Sequence, residues 1–185
     1  MIGWYDGHMQ GKGFEKRLSV GGKSNSLGKV DEVVKEILGN REFLVALYDC
    51  MFSDDAWVRM RAADAFEKVC RVHPDWIKPY IHRLQSELSA STQPSIQWHI
   101  AQIYSQVSLQ NSQKKQALDW LRKLLSTNEV DWIAAANAMD TLAAFVTRGD
   151  FAASEFIRLL KIQQTHKSKS VVRKADKHLD IVTHS

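Results

Sequence analysis

The sequence predicts an all-α chain, a right-handed superhelix of about four stacked helix pairs. Three observations predict it: an apolar grid that returns at a nearly fixed period, a second apolar row ahead of each copy of the grid, and polar turns that open the helices between them. Counted from Val58, offsets of four, eight and eleven residues stay on one face of a 3.6-residue helix, and they hold Ala62, Phe66 and Val69. The same offsets hold Ile100, Tyr104 and Val107 from Ile96, then Ala138, Leu142 and Phe145 from Ala134, then Ala175, Leu179 and Val182 from Val171. The four anchors are 38, 38 and 37 residues apart, and every grid position is apolar although apolar residues make up 44% of the chain. The preceding row repeats as Phe43, Ala46 and Cys50, as Ile81, Leu84 and Leu88, and as Leu118, Leu121 and Leu125; Phe156 and Leu159 continue it, and Gln163 interrupts it. Two helices in each period of about 37 to 40 residues is the pattern of a stacked solenoid.

Taken in order, residues 1–28 form an arm that differs from the rest. It holds seven of the nine glycines and shows no helical period. Glycine raises the entropy lost on ordering, so the arm is expected to be flexible, or docked as a cap over the first helix pair through Trp4, Tyr5 and Phe14. Its fragment Gly21 to Ser24, GGKS, invites comparison with a phosphate-binding loop, but Arg17 stands where the first glycine of that motif belongs and no apolar strand precedes it. The solenoid domain is expected over 29–185. Val30, Val33, Val34, Ile37 and Leu38 make the first apolar face, with Gly39 just past its end and Asn40 capping the next helix. Asp54 or Asp55 is expected to cap the helix of Val58. Pro79 lacks an amide donor and crowds the previous turn, so its helix should start late or bend. Asn111 or Ser112 starts the next helix, whose apolar side includes Trp120. Ser126 and Glu129 match a capping box for the helix from Trp132 to Val146, Gly149 ends that helix, and a final helix follows Ser168.

The segments DDAWVRMRAADAFEKV, IQWHIAQIYSQV and SVVRKADKHL resemble second helices of HEAT repeats, with an Asp in the turn and a Val-Arg opening. The stretch from Val30 to Val182 resembles small stand-alone bacterial HEAT-repeat proteins of unassigned biochemical role. A tetratricopeptide array has a period of about 34, which is too short. The helix-opening Arg occurs as Arg59 and, shifted by one, as Arg173, whereas Gln97 and Ala135 occupy the middle repeats, so no continuous arginine ladder is expected.

A chain of 185 residues can bury roughly 70% of its unfolded surface and needs no staple. With 25 basic and 21 acidic residues the net charge is +4, too mild a bias to imply nucleic acid. Cys50 and Cys70 sit in or beside core rows and read as buried thiols of a reducing compartment. No apolar run approaches the ~18 residues needed to span a bilayer, and no signal peptide is evident. The cytoplasm is therefore the expected location.

The resemblance implies that second helices line a concave surface, so the informative residues lie off the apolar grid. Three positions past each anchor stand Arg61, His99, Asn137 and Lys174; six past stand Asp64, Gln102, Asp140 and Lys177. With Trp98 as an aromatic centre, the residues Arg61, Asp64, Trp98, His99, Gln102, Asn137 and Asp140 make a candidate polar groove for a protein partner, because aromatics beside hydrogen-bonding groups dominate binding energy. His99 is expected at the surface as a hydrogen-bonding residue. The bland alternative is a solvated helix face. An enzymatic alternative comes from HEAT-like alkylpurine DNA glycosylases, for which Asp140 with Trp98 and Trp132 would serve, but the groove positions have too small a basic excess to meet about 6 phosphates. His73, His82 and His99 show no metal-ligand spacing, and no nucleophile motif is present, so neither a metal nor another cofactor is expected. The segment from Arg158 to Lys177 is the most basic, with Lys167, Lys169, Arg173, Lys174 and Lys177 forming a patch that would meet solvent, or an acidic protein, RNA or a membrane surface. The leading expectation is a non-enzymatic interaction scaffold.

Overall fold

A computed structural model describes residues 13–21 and 26–184, and every regular element among them is a helix. The chain forms two compact units, Met1–Ile77 and Lys78–Ser185.

In the first unit, α1 (13–19) is followed by α2 (Val30–Gly39), a 3₁₀ turn Arg41–Phe43 running into α3 (Leu44–Asp49), a second 3₁₀ turn Cys50–Phe52, α4 (Ala56–Val72) and the short α5 (Pro74–Ile77). Two of these starts, those of the Arg41–Phe43 turn and of α4, are fixed by side chains that satisfy free amides. The Glu42 amide donates to Oδ1 of Asn40 at 3.0 Å, and the Trp57 amide to Oδ1 of Asp55 at 2.8 Å. Asp55 therefore caps α4. Gly39 is the last helical residue rather than the one beyond it, and Asn40 leaves the helix in an extended conformation. Val58, Ala62, Phe66 and Val69 are all buried on α4, against Val30, Val33 and Ile37 of α2 and Leu44, Leu47 and Tyr48 of α3. Phe66 meets Tyr48 edge-on at 5.7 Å. Cys50 and Cys70 form no disulfide, and burial pushes both thiols up to about 12.

The described part of the arm packs onto this unit. Phe14 and Leu18 are buried, with the Phe14 ring 6.1 Å from Phe43. The Arg61 guanidinium donates to the carbonyls of Leu18 (2.6 Å), Gly21 (2.8 Å) and Ser26 (2.9 Å), and more distantly to Ser19 (3.4 Å). Gly21 permits this approach, since a Cβ there would stand 2.6 Å from Nη2 of Arg61. Gly28 turns the chain with φ of +54°, in the region glycine favours. Trp4, Tyr5 and Gly22 to Ser24 lie outside the described residues.

The second unit begins with a 3₁₀ turn, Lys78–Tyr80, at Pro79, which interrupts α-helical geometry between α5 and α6 (Ile81–Arg83); α6 then widens into a π-helical turn, Leu84–Leu88. Then come α7 (Pro94–Gln106), α8 (Asn111–Leu125), α9 (Trp132–Thr147), α10 (Ala153–Gln163) and α11 (Lys169–Thr183). The second helices α7, α9 and α11 pack side by side in that order, α7 on α9 and α9 on α11. Anchors Ile96, Ala134 and Val171 are buried, as are Ile100, Ala138, Leu142 and Ala175. Leu179 and Val182 are half-exposed on α11.

The ends of these helices correct two local expectations. Gln110, not Asn111 or Ser112, caps α8 through reciprocal bonds with Gln113, whose Oε1 accepts the Gln110 amide at 3.0 Å. Asp131 caps α9, accepting the Ile133 amide at 2.9 Å, while Ser126 closes the end of α8 by donating to the Lys123 carbonyl. The spacing of Ser126 and Glu129 was thus coincidental. At the other end of α9, Gly149 takes φ of +74°, and the amides of Gly149 and Asp150 donate to the carbonyls of Val146 and Phe145, a Schellman closure.

Candidate functional site

Each off-grid residue can now be placed within its own unit. On α4, Arg61 is not on an open face: it is 2% exposed and its guanidinium is occupied by the arm's carbonyls. The physical reason is that five N–H donors on a long stem meet a loop whose carbonyls have no helix to satisfy them. Asp64 is half-buried and bridges to Lys68 at 3.1 Å, which also reaches Asp31 of α2 at 2.8 Å. Burial raises the Asp64 pKa against the opposing pull of Lys68.

On α7, His99 is not a surface residue either. It is 3% exposed, with Nδ1 3.2 Å from Oε1 of Gln102 one turn on, and its ring lies 4.7 Å from that of Trp98. Trp98 and Gln102 are half-buried and line the accessible side of α7. On α9, Asn137 donates back to the Ile133 carbonyl at 2.8 Å. Asp140 is exposed and accepts from two residues of α11, Lys174 and His178, the latter at 2.8 Å. Burial alone would raise the Asp140 pKa, but hydrogen bonds from His178 and Lys174 outweigh it and hold the carboxyl below its usual range. Of the basic patch, Lys167, Lys169, Arg173 and Lys177 are exposed, whereas Lys174 is engaged by Asp140. The second unit therefore brings Trp98, Gln102, Asn137 and Asp140 onto neighbouring helices and ties α9 to α11 by charge.

Other polar residues serve inside the stack. Gln163, the apparent fault in the apolar row, is fully buried and its amide donates to the carbonyls of Leu125 and Thr127 at 3.0 and 2.9 Å. Those carbonyls lie at the end of α8, where intrahelical partners run out. Thr141 donates to the Ala101 carbonyl at 2.9 Å, joining α9 to α7. His166 bonds Val130 through Nε2 and accepts the Ser168 amide at Nδ1. None of these was readable from periodicity.

Trp120 also lines two clefts of the second unit. One, of about 430 Å³, lies among Ser89 to Pro94, Lys123 and the turn Thr127 to Asp131; the other, of about 240 Å³, is lined by Gln85, Ser89, Tyr104, Gln116, Asp119 and Trp120. Trp120, expected on the apolar side of its helix, is half-buried, and its indole N–H donates to the Ser89 carbonyl at 2.9 Å. Among the described residues no three or more His, Cys, Asp or Glu side chains converge as metal ligands, and no helix is long and apolar enough to cross a membrane.

Helix pairs in a fixed period, with a buried apolar spine and polar second helices side by side, define an α-solenoid. A family model described as HEAT repeat domain matches residues 14–177, and the chain belongs to that family. No curated protein and no solved structure gives a significant match.

Proposed function

We propose that this chain is a non-enzymatic protein-interaction module, and that the off-spine face of α7, α9 and α11 receives a segment of a partner protein. HEAT repeats commonly mediate protein–protein interaction, which supports the class. The observation that carries the choice of face is Trp98: a half-buried indole beside the His99–Gln102 pair, on a helix packed against the α9 that carries Asn137 and Asp140. An aromatic held by its neighbours offers contact area at little entropic cost, and such residues are enriched among those that dominate interfaces. The role of Asp140 in this reading is structural, since Lys174 and His178 occupy its two oxygens. That weighs against a carboxylate poised for glycosylase chemistry. The buried thiols of Cys50 and Cys70 suit a reducing cytoplasm.

The test compares the chain with its Trp98→Ala variant in affinity capture from a cell extract, bound proteins being identified by mass spectrometry. The expected outcome is a partner retained by the parent and lost by the variant, by about 2 kcal/mol or more in a purified titration, with unchanged far-UV circular dichroism. Equal capture by both, or unfolding of Trp98→Ala, would refute the assignment of faces. Salt-sensitive gel shifts with duplex DNA would instead favour a nucleic-acid-binding protein.

A further inference from the structure

Counted from the anchors, the open side of each second helix in the second unit lies two before, two past and six past. On α7 these positions hold Pro94, Trp98 and Gln102; on α9, Trp132, Ala136 and Asp140; on α11, Lys169, Arg173 and Lys177. All of them are exposed or half-buried, and α9 packs between α7 and α11. The surface therefore changes character from one end to the other. Over α7 and α9 it is aromatic and neutral, since Asp140 is held by Lys174 and His178. Over α11 it is cationic.

The three cations of α11 have no ionic partner among the described residues. Neighbouring carboxylates are turned elsewhere: Glu155 to Arg122 and Arg158, Asp176 to Gln164, and Asp180 to His184. Lys167, exposed just before the helix, adds a fourth unpaired charge. Folding does not account for this placement. Like charges four apart on a helix repel, and a cation at the first helical position, where Lys169 stands, opposes the helix dipole.

The spacing and extent of the stripe indicate what it fits. Four residues of helix advance about 6 Å, close to the roughly 6.7 Å between alternate side chains of an extended strand. Neighbouring helices lie about 8 to 10 Å apart, so a nucleic-acid duplex or an anionic bilayer resting on this surface would bring phosphates over α7 and α9 as well. Neither of those helices contains a Lys or Arg. An extended peptide, by contrast, can set its carboxylates over one helix and its apolar residues over the tryptophans of the next two. We infer that Lys169, Arg173 and Lys177 bind an acidic segment of a partner protein, one with Asp or Glu at alternate positions of an extended stretch. This rests on the reading of the face given above and adds the chemistry of what the face receives.

The experiment titrates a fluorescein-labelled peptide, aspartate at three alternate positions of a serine stretch, with the full chain and follows fluorescence polarisation. A saturable rise is expected, weakening as salt goes from about 0.01 M to 0.15 M. The same peptide with asparagine for aspartate should give none. Exchanging Lys169, Arg173 and Lys177 together for Gln should weaken binding by about tenfold or more, and this variant should melt no lower than the parent. Exchanging the equally exposed Lys35, Lys115 and Lys123 for Gln changes the net charge as much and should leave binding within about twofold. The probe is short enough to sit on α11 alone, so Trp98→Ala should leave its binding unchanged, and failure of the face and failure of the stripe are read separately. No saturable rise, an equal response to the asparagine peptide, equal weakening by the control exchange, or a fall in melting temperature of the α11 variant would each overturn the proposal. Tighter binding of a short duplex DNA or of phosphatidylserine vesicles through the same three residues would overturn it too, making the stripe a nucleic-acid or membrane contact.

Discussion

Replacing Arg61 by Met should release the N-terminal arm while leaving the helix beneath it folded. The guanidinium makes three bonds of 2.6 to 2.9 Å to the carbonyls of Leu18, Gly21 and Ser26, and hydrogen bonds to a charged group contribute about 1.5 to 3 kcal/mol each. They do not add in full, because the freed carbonyls regain water and the variant no longer buries a charge. Met retains the apolar stem, and Phe14 and Leu18 keep their own burial, about 1.5 to 3 kcal/mol apiece. The net loss should therefore be about 2 to 4 kcal/mol in urea unfolding, with the effect concentrated in the arm. Hydrogen exchange separates this from a general loss of packing. Amides from 14 to 20, including that of Val20, which donates to the Arg17 carbonyl, should lose protection far more than those of α4, and trypsin should gain access to Lys16 and Arg17. Gly21→Ala should act in the same direction more weakly, since its methyl would drive into the pinned guanidinium. Unchanged protection of 14–20, with a stability change under about 0.5 kcal/mol, would show that the arm is held by its apolar residues alone.

Three further outcomes follow from burial and charge. Phe66→Ala should cost about 3 to 5 kcal/mol in chemical denaturation, because the ring is fully buried against Tyr48; a loss below 1 kcal/mol would contradict its place in the spine. Asp140 has its pKa lowered in the folded state, so its stabilising effect is present above the unfolded carboxylate value of about 3.9 and fades as pH falls through the lower folded value. Asp140→Asn should accordingly lower neutral-pH stability by about 0.5 to 1 kcal/mol, the range of exposed ion pairs, and remove part of the acid-side slope in pH-dependent melts. Exchanging Lys167, Lys169, Arg173 and Lys177 together for Gln should change stability by no more than about 0.5 kcal/mol, since all four are exposed; a large drop in Tm would give the patch a folding role.

The spine was legible because burial imposes a period on apolar residues, and the four anchors Val58, Ile96, Ala134 and Val171 are each 1% exposed or less. The irregular first helix around Pro79 was legible for a covalent reason, the missing amide donor. What periodicity cannot read is where a polar side chain finds its partner. Arg61, His99 and Gln163 share one property in the sequence, a polar residue at a helical position, and three different fates: an arm clamp, a bond to the next turn, and closure of a neighbouring helix end.

The same limit bears on any candidate surface in such a stack. A polar residue three past an anchor is close enough to the spine for a long side chain to turn inward, as Arg61 does toward the carbonyls of the arm, because leaving those carbonyls buried and bare is costly. Asp140 lies six past its anchor and remains exposed, half-committed to α11; Arg61 and His99, three past theirs, are buried. Position relative to the spine therefore sorts the candidates better than polarity does.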